Sequence, residues 1–178
     1  DIQTTPSDVI GIGDMSGDVF GNGMLLSDQI RLRGAFNHLY IFCDPDPDPA
    51  ASFDERKRLF AHALQWSEYD AGKLSDGGRI YSRSDKTLTL TPEIQQAFGL
   101  SDTHVPPHEL IRAMLTCQTD LLWFGGIGTF VKSSNETHDQ VGDKANDMLR
   151  VSADDLRASV IGEGANLGMT QAARIEAG

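Results

Sequence analysis

Gly11, Ile12 and Gly13 close a short apolar run and precede a segment with helical spacing. In that context glycines let the chain turn sharply and let a pyrophosphate approach the backbone, while the head of the following helix offers unpaired N–H groups. The third glycine of a strict G-x-G-x-x-G falls on Ser16, with Gly17 one residue later. Asp14 and Asp18 place negative charge near such phosphates and count against the pattern. Asp44 stands at the end of the next predicted strand. An acid in that place accepts hydrogen bonds from the hydroxyls of an adenosine ribose and repels a 2′-phosphate, so it predicts NAD over NADP. Asp44 follows Gly13 by 31 residues, against a usual separation of about 20, so a long helix or loop must fill the gap. Gly125, Gly126, Ile127 and Gly128 follow a further apolar strand, where glycines permit close approach of a flat ring or ribose. Asn166 follows another strand, and its amide can both donate to and accept from a carboxamide or ribose hydroxyl.

These residues need strands that end at one edge. The spacing predicts a buried strand over residues 8–13 and a helix over residues 17–36, the latter from Val19, Phe20, Met24, Leu25, Ile30 and Leu32. A second strand is predicted over 38–43, then an extended connection through Pro45, Pro47 and Pro49. Ser52 with Glu55 reads as a capping box for a helix reaching Gln65. Residues 79–90 read as a β-hairpin turning at Ser84 and Asp85. Thr91 and Pro92 open a helix to Phe98, and residues 107–117 form another. Strands follow at 120–124 and 158–161, with helices at 141–149 and 169–177. The alternation predicts an α/β, Rossmann-like doubly wound, mainly parallel sheet with helices on both faces. Residues 1–178 read as a single dinucleotide-binding domain.

Composition narrows the partners. Of 178 residues, 39% are apolar and 23% charged, as in ordinary globular proteins. A net charge of −11 argues against nucleic acid or an anionic membrane surface, and no apolar run is long enough to span a bilayer. Two lone cysteines, Cys43 and Cys117, predict buried thiols in a reducing compartment, and hence a cytoplasmic protein. The chain opens on Asp1 rather than Met, which reads as a piece of a longer protein, with any targeting segment outside it. Asp44, Asp46, Asp48 and Glu55 match four positions of a calcium-binding loop, but Pro49 stands where a glycine must turn the chain, so no metal is expected. The five histidines show no zinc spacing, and neither a phosphate-binding Gly-Lys-Ser/Thr loop nor a G-x-S-x-G elbow is present.

Taken together, residues 8–26 (DVIGIGDMSGDVFGNGMLL), 41–51 (IFCDPDPDPAA), 123–132 (WFGGIGTFVK), 141–149 (VGDKANDML) and 162–170 (GEGANLGMT) resemble the large bacterial NAD-specific glutamate dehydrogenases. The resemblance spans nearly the whole chain and is weakest over residues 66–103. It implies oxidative deamination of L-glutamate to 2-oxoglutarate and ammonia, with hydride passed to NAD. It implies that Gly11, Gly13 and the turn Asp14, Met15 and Ser16 match the pyrophosphate loop, Asp44 the ribose acid and Asn166 the nicotinamide side. The family's catalytic lysine and aspartate, and its glutamate-carboxylate lysines, belong to a separate substrate domain with no matching motif here. Lys57, Lys73, Lys86, Lys132 and Lys144 read as surface residues. The isolated chain is therefore expected to bind NAD without turning over glutamate, and the full-length enzyme to be a homo-oligomer. Two other readings stay open: an α/β domain for another nucleotide, and a non-catalytic assembly or regulatory domain.

Overall fold

The computed structural model of the chain describes all residues, Asp1–Gly178. In chain order the elements are β1 (Ser7–Ile12), α1 (Asp18–Met24), β2 (Ile30–Phe36), β3 (Tyr40–Cys43), α2 (Pro49–Ala61), β4 (Arg79–Ser82), β5 (Leu88–Thr89), α3 (Pro92–Phe98), β6 (His104–Val105), α4 (Pro107–Thr116), β7 (Thr119–Phe124), β8 (Val131–Lys132), α5 (His138–Val141), β9 (Val151–Ser152), β10 (Ala158–Glu163) and α6 (Gln171–Ala177). None of the helices is long and apolar enough to cross a membrane.

The architecture is α/β around a mixed six-stranded sheet of order β10-β7-β1-β2-β3-β4. β10, β7, β1 and β2 run parallel, with Val9 opposite both Leu32 and Leu121. β3 then returns antiparallel to β2, and β4 is antiparallel to β3. Alternate strand residues serve two cores, as the pleat requires. Ile10, Ile12, Phe36, Leu122 and Phe124 face one cluster with α3 and α4. Val9, Leu32, Phe42, Phe20, Met24 and Trp66 form the other, beneath α1 and α2.

Several sequence expectations are corrected. The helix expected over residues 17–36 ends at Met24, and β2 occupies its second half. Ile30 and Leu32 fit a helical stripe, but they also alternate with Arg31 and Arg33, and burial follows that alternation. The parallel partner on that side of β1 is therefore β2, and residues 40–43 form an antiparallel return instead of a second parallel strand. Asp48, not Ser52, caps α2, accepting from the Ala51 N–H, while Ser52 and Glu55 are buried within the helix. Residues 79–90 form no hairpin: β4 pairs with β3, and β5 with β6. Residues 141–149 hold only the last residue of α5 and a 3-10 turn at Lys144–Asn146. The cap and first turn at Thr91 and Pro92 form as expected.

Candidate functional site

β1 is flanked by β2 on one side and β7 on the other, and the connections that leave β1 and β7 run in opposite directions across the sheet, to β2 and to β10. In open α/β sheets a crevice opens at the carboxyl ends of such a strand pair. Here that edge is laced by hydrogen bonds between neighbouring strands. Gly13 N–H donates to Phe36 O (2.8 Å), Gly125 N–H to Ile12 O (2.8 Å) and Gly164 N–H to Phe124 O (3.0 Å). The ends of β2, β1, β7 and β10 are thus held to one another in turn. The buried Trp66 indole N–H takes up Gly13 O at 3.0 Å, and Phe20 packs under the glycines so closely that a Cβ on Gly11 would lie 2.4 Å from its ring.

The loop after β1 carries Asp14, Met15, Ser16 and Gly17. The Asp14 carboxylate accepts from Ser16 N–H (3.1 Å), Ser16 Oγ (2.5 Å) and Gly17 N–H (3.1 Å), and its other oxygen accepts from Asn37 Nδ2 (2.8 Å). Asp14 therefore already engages the two loop amides, of Ser16 and Gly17, that lead into α1. Met15 is fully buried in the core beneath the loop. The backbone N–H groups of Asp14 and Met15 donate to nothing in the chain.

The loop after β7 is unusual in its backbone. Gly126 (φ 130°) and Gly128 (φ 148°) flank Ile127 at φ 68°. A β-branched residue in the left-handed region is strained by about 1–2 kcal/mol. Backbone strain of this sort gathers at functional sites. The N–H groups of Gly126, Ile127 and Gly128 have no acceptor in the chain, so three successive donors stand at the rim, an arrangement suited to anionic or carbonyl oxygens. Behind them, Thr129 N–H and Asn146 Nδ2 donate to the Asp143 carboxylate (2.9 and 2.8 Å), and Arg150, fully buried, donates to Thr129 O (2.9 Å) and Asp143 O (2.6 Å).

After β10, Asn166 is exposed. Its carbonyl accepts from Arg174 Nη2 (2.8 Å), while its side-chain amide makes no hydrogen bond in the chain. The structure thus brings Gly11, Gly13, Asp14, Met15, Ser16, Gly17, Gly125, Gly126, Ile127 and Asn166 to one edge of the sheet.

Asp44 is not brought there. Because β3 runs antiparallel, its end lies beside the middle of β2, where Asp44 N–H donates to Arg33 O (2.9 Å) and Asp46 pairs with Arg31 (2.7 Å). Asp44 is fully buried. One oxygen accepts from Ser75 N–H (3.0 Å) and the Ser75 hydroxyl, and the other has no partner. Burial pushes its carboxyl above the usual range, against the Ser75 hydrogen bonds. The Arg56 Nη2 and Tyr69 Oη atoms are likewise buried and unpartnered. The residue at the carboxyl end of β2 is Asn37, 24 residues after Gly13, closer to the usual separation of about 20. Reading Ile30–Phe36 by its two-residue alternation would have found it. Asn37 Oδ1 accepts from the Leu39 and Tyr40 N–H groups (2.9 and 2.8 Å), and Arg83 donates to its carbonyl (2.6 Å). His38, Tyr40, Ser82, Arg83 and Ser84 line a hollow of about 320 Å³ beside it. A larger hollow, about 760 Å³, opens among Asp8, Arg31, Arg33, Asp46 and Glu93, but there the arginines are already paired with Asp8 and Asp46.

The electrostatics of the β7 loop lead to an acid-sensitivity prediction. Burial pushes Asp143 up, but hydrogen bonds from Asn146 and Thr129 and the Arg150 charge hold its carboxyl below the usual range. A depressed folded pKa means the stabilisation is present above the unfolded pKa, about 3.9, and is lost as pH falls through the folded value. Asp44, with a raised pKa, has the opposite sign and is relieved by protonation. Urea midpoints measured from pH 6 down to pH 3 should therefore fall below about pH 4 more steeply in the parent than in Asp143→Asn; equal slopes would remove Asp143 from the account.

Over residues 1–178 the chain matches the family described as bacterial NAD-glutamate dehydrogenase, catalytic domain. It is 59% identical over 170 residues to the NAD-specific glutamate dehydrogenase of Halomonas elongata, covering 95% of this chain and 10% of that protein. The protein of the same name from Pseudomonas aeruginosa is 57% identical over 179 residues, covering 100% and 11%, and that from Mycobacterium tuberculosis is 49% identical, covering 99% and 11%. The chain thus spans about a tenth of the length of the curated relatives it matches. With a match along its whole length and relatives at this level of identity, the chain belongs to the bacterial NAD-glutamate dehydrogenase catalytic-domain family.

Proposed function

We propose that this chain is a Rossmann-like dinucleotide-binding domain that holds NAD across the carboxyl ends of β1, β7 and β10. In this reading it is the coenzyme half of an enzyme that oxidises L-glutamate to 2-oxoglutarate and ammonia, passing hydride to NAD. The observation that carries the reading is the divergence of chain connections between β1 and β7, met by loops with unpartnered amides: Asp14 and Met15 on one side, Gly126, Ile127 and Gly128 on the other. The pyrophosphate bridges these two loops. The adenosine half runs past Asn37 towards the hollow beside Arg83, and the nicotinamide half lies by Asn166. When bound, NAD supplies the hydride acceptor. The domain's own part is to bind and orient it.

The preference for NAD rests on the relatives' names, since Asp44 lies at the other edge and is removed from the ribose site. The substrate-binding and catalytic groups come from outside this chain. Lys57, Lys73, Lys86 and Lys144 are exposed, and Lys132, half-buried, is directed at Ser133 O (3.2 Å) and Ser152 Oγ (3.4 Å). The isolated chain therefore does not turn over glutamate. The same reading places the enzyme in the cytoplasm, in keeping with the free thiols of Cys43 and Cys117, and assembles it as a homo-oligomer.

One observation favours a second reading, a domain of assembly or regulation without a ligand: the Asp14 carboxylate already occupies the Ser16 and Gly17 amides of the loop that leads into α1. Thermal unfolding separates the two. A ligand that binds only the native state adds RT ln(1 + [L]/Kd), about 1.4 kcal/mol at tenfold saturation. The expected result is a shift of the full-length enzyme with NAD, little with NADP, and an undiminished NAD shift in Asp44→Asn. An absent shift would favour the second reading, and loss of the shift in Asp44→Asn would restore that residue to the coenzyme site.

A further inference from the structure

The loop that carries Asn166 is fastened at both ends by backbone bonds and in the middle by a side chain. Gly164 and Ala165 N–H groups both donate to Phe124 O (3.0 and 3.2 Å), which anchors its first half to β7. Its second half is held to the start of β8, where Gly168 O accepts from the Phe130 and Val131 N–H groups (2.9 and 3.2 Å) and Thr170 N–H donates to Val131 O (3.0 Å). Between these anchors, Asn166 is reached by one side chain from α6. Arg174 grips the Glu163 carboxylate with two bonds, Nε to Oε2 (2.6 Å) and Nη2 to Oε1 (2.9 Å), and the same Nη2 donates to Asn166 O (2.8 Å). Nη1 is directed to Gln171 Oε1 at 3.2 Å. A guanidinium fork held bidentately is fixed in plane and direction, so the carbonyl it reaches is fixed with it. The Asn166 side chain, by contrast, is exposed and bonded to nothing in the chain. Its amide offers one donor face and one acceptor face, the complement of a primary carboxamide. It stands at the end of β10, on the far side of β7 from the Gly13 loop. In a dinucleotide that crosses the sheet there, the half beyond β7 is the one away from the β2 end, where the adenosine ribose lies.

We propose that Arg174 is a positioning residue for the nicotinamide half of the coenzyme: by holding Glu163 and the Asn166 carbonyl together it sets where the Asn166 amide projects. This rests on the coenzyme reading above. Arg174 touches no ligand itself and acts through the loop. A 1 Å displacement of such a group is enough to lose much of its binding contribution. The bidentate pair also makes Arg174 and Glu163 one unit, so loosening either has the same consequence.

The test compares NAD with ADP-ribose, which keeps the adenosine and pyrophosphate but lacks the nicotinamide, by titration of the full-length enzyme. Arg174→Ala should weaken NAD at least tenfold and ADP-ribose less than twofold. Glu163→Gln should reproduce that selectivity in weaker form, and Arg174→Lys, which keeps the charge but not the fork, should fall between. In an Asn166→Ala background, Arg174→Ala should cost NAD little more. A purely structural role would weaken both ligands alike, and that result, or an NAD affinity unchanged in a folded Arg174→Ala or Arg174→Lys variant, overturns the proposal. Should the parent enzyme bind neither NAD nor ADP-ribose, the coenzyme reading fails and takes this one with it; binding of both with no selective loss sinks only the role of Arg174.

Discussion

Replacing Arg150 with methionine should cost the fold roughly 3 kcal/mol, lowering the melting temperature of the chain by about 10 °C. Arg150 is fully buried. Its guanidinium reaches Asp147 Oδ1 (2.6 Å), His138 Nδ1 (3.1 Å), Thr129 O (2.9 Å) and Asp143 O (2.6 Å). Methionine fills much of the volume but leaves Thr129 O without a donor and Asp143 O with only the Asn146 N–H (3.2 Å), and a buried polar group without its partner carries its full desolvation cost. The two acids stay partly exposed and regain water, so the loss sits at the lower end of the range for broken buried pairs. Arg150→Lys should recover less than half, since an ammonium cannot serve four acceptors spread over a planar fork. Urea unfolding followed through Trp66 and Trp123 fluorescence reads this directly. A midpoint for Arg150→Met within experimental scatter of the parent would show that the buried guanidinium contributes little.

The second large effect is expected at Gly125. A Cβ there would lie 2.7 Å from Ile12 O and 2.7 Å from the Phe20 Cβ. The first of these is backbone, and it is also the acceptor of the Gly125 N–H. Alanine can be accommodated only by parting the ends of β1 and β7, the two strands between which the coenzyme is proposed to lie. Overpacking of this kind costs about 1–3 kcal/mol in stability. The coenzyme affinity should fall about 100-fold, since two loops that contact one ligand are displaced together. Gly142→Ala is the control. Gly142, unlike Gly125, has a positive φ, 78°, but nothing lies within 4 Å of its Cβ position. Only the conformational strain of about 1 kcal/mol applies, with NAD affinity unchanged. Similar losses of affinity in the two variants would mean that general destabilisation, rather than the fit between β1 and β7, sets the affinity.

The strands that build the site were legible where a period and a boundary coincided. β1, β7 and β10 are short apolar runs ended by glycines, and the loops that follow them meet at one edge as the strand count required. The cap of α3 was legible for a different reason, because Thr91 and Pro92 act through their own backbone. Residues 17–36 were misread because Ile30 and Leu32 satisfy two periods at once, and only pairing with β1 chooses between them. That one missing strand carried a second error with it. With β2 overlooked, β3 took its place, and Asp44 was assigned to an edge it does not reach. Arg150 and Arg174 gave no local signal, since each acts on carbonyls and acids of separate segments that meet only in the folded chain.

The lacing of the rim bears on how a glycine-rich edge behaves. Gly13, Gly125 and Gly164 would be read from composition as hinges. Each instead spends its N–H on the terminal carbonyl of an adjacent strand. To lift any one loop is to strip an acceptor from the strand beside it as well as a donor from the loop itself, so slack cannot be introduced one loop at a time. The edge is a stiff ledge rather than a flap, and the glycines are there for thinness, not for motion.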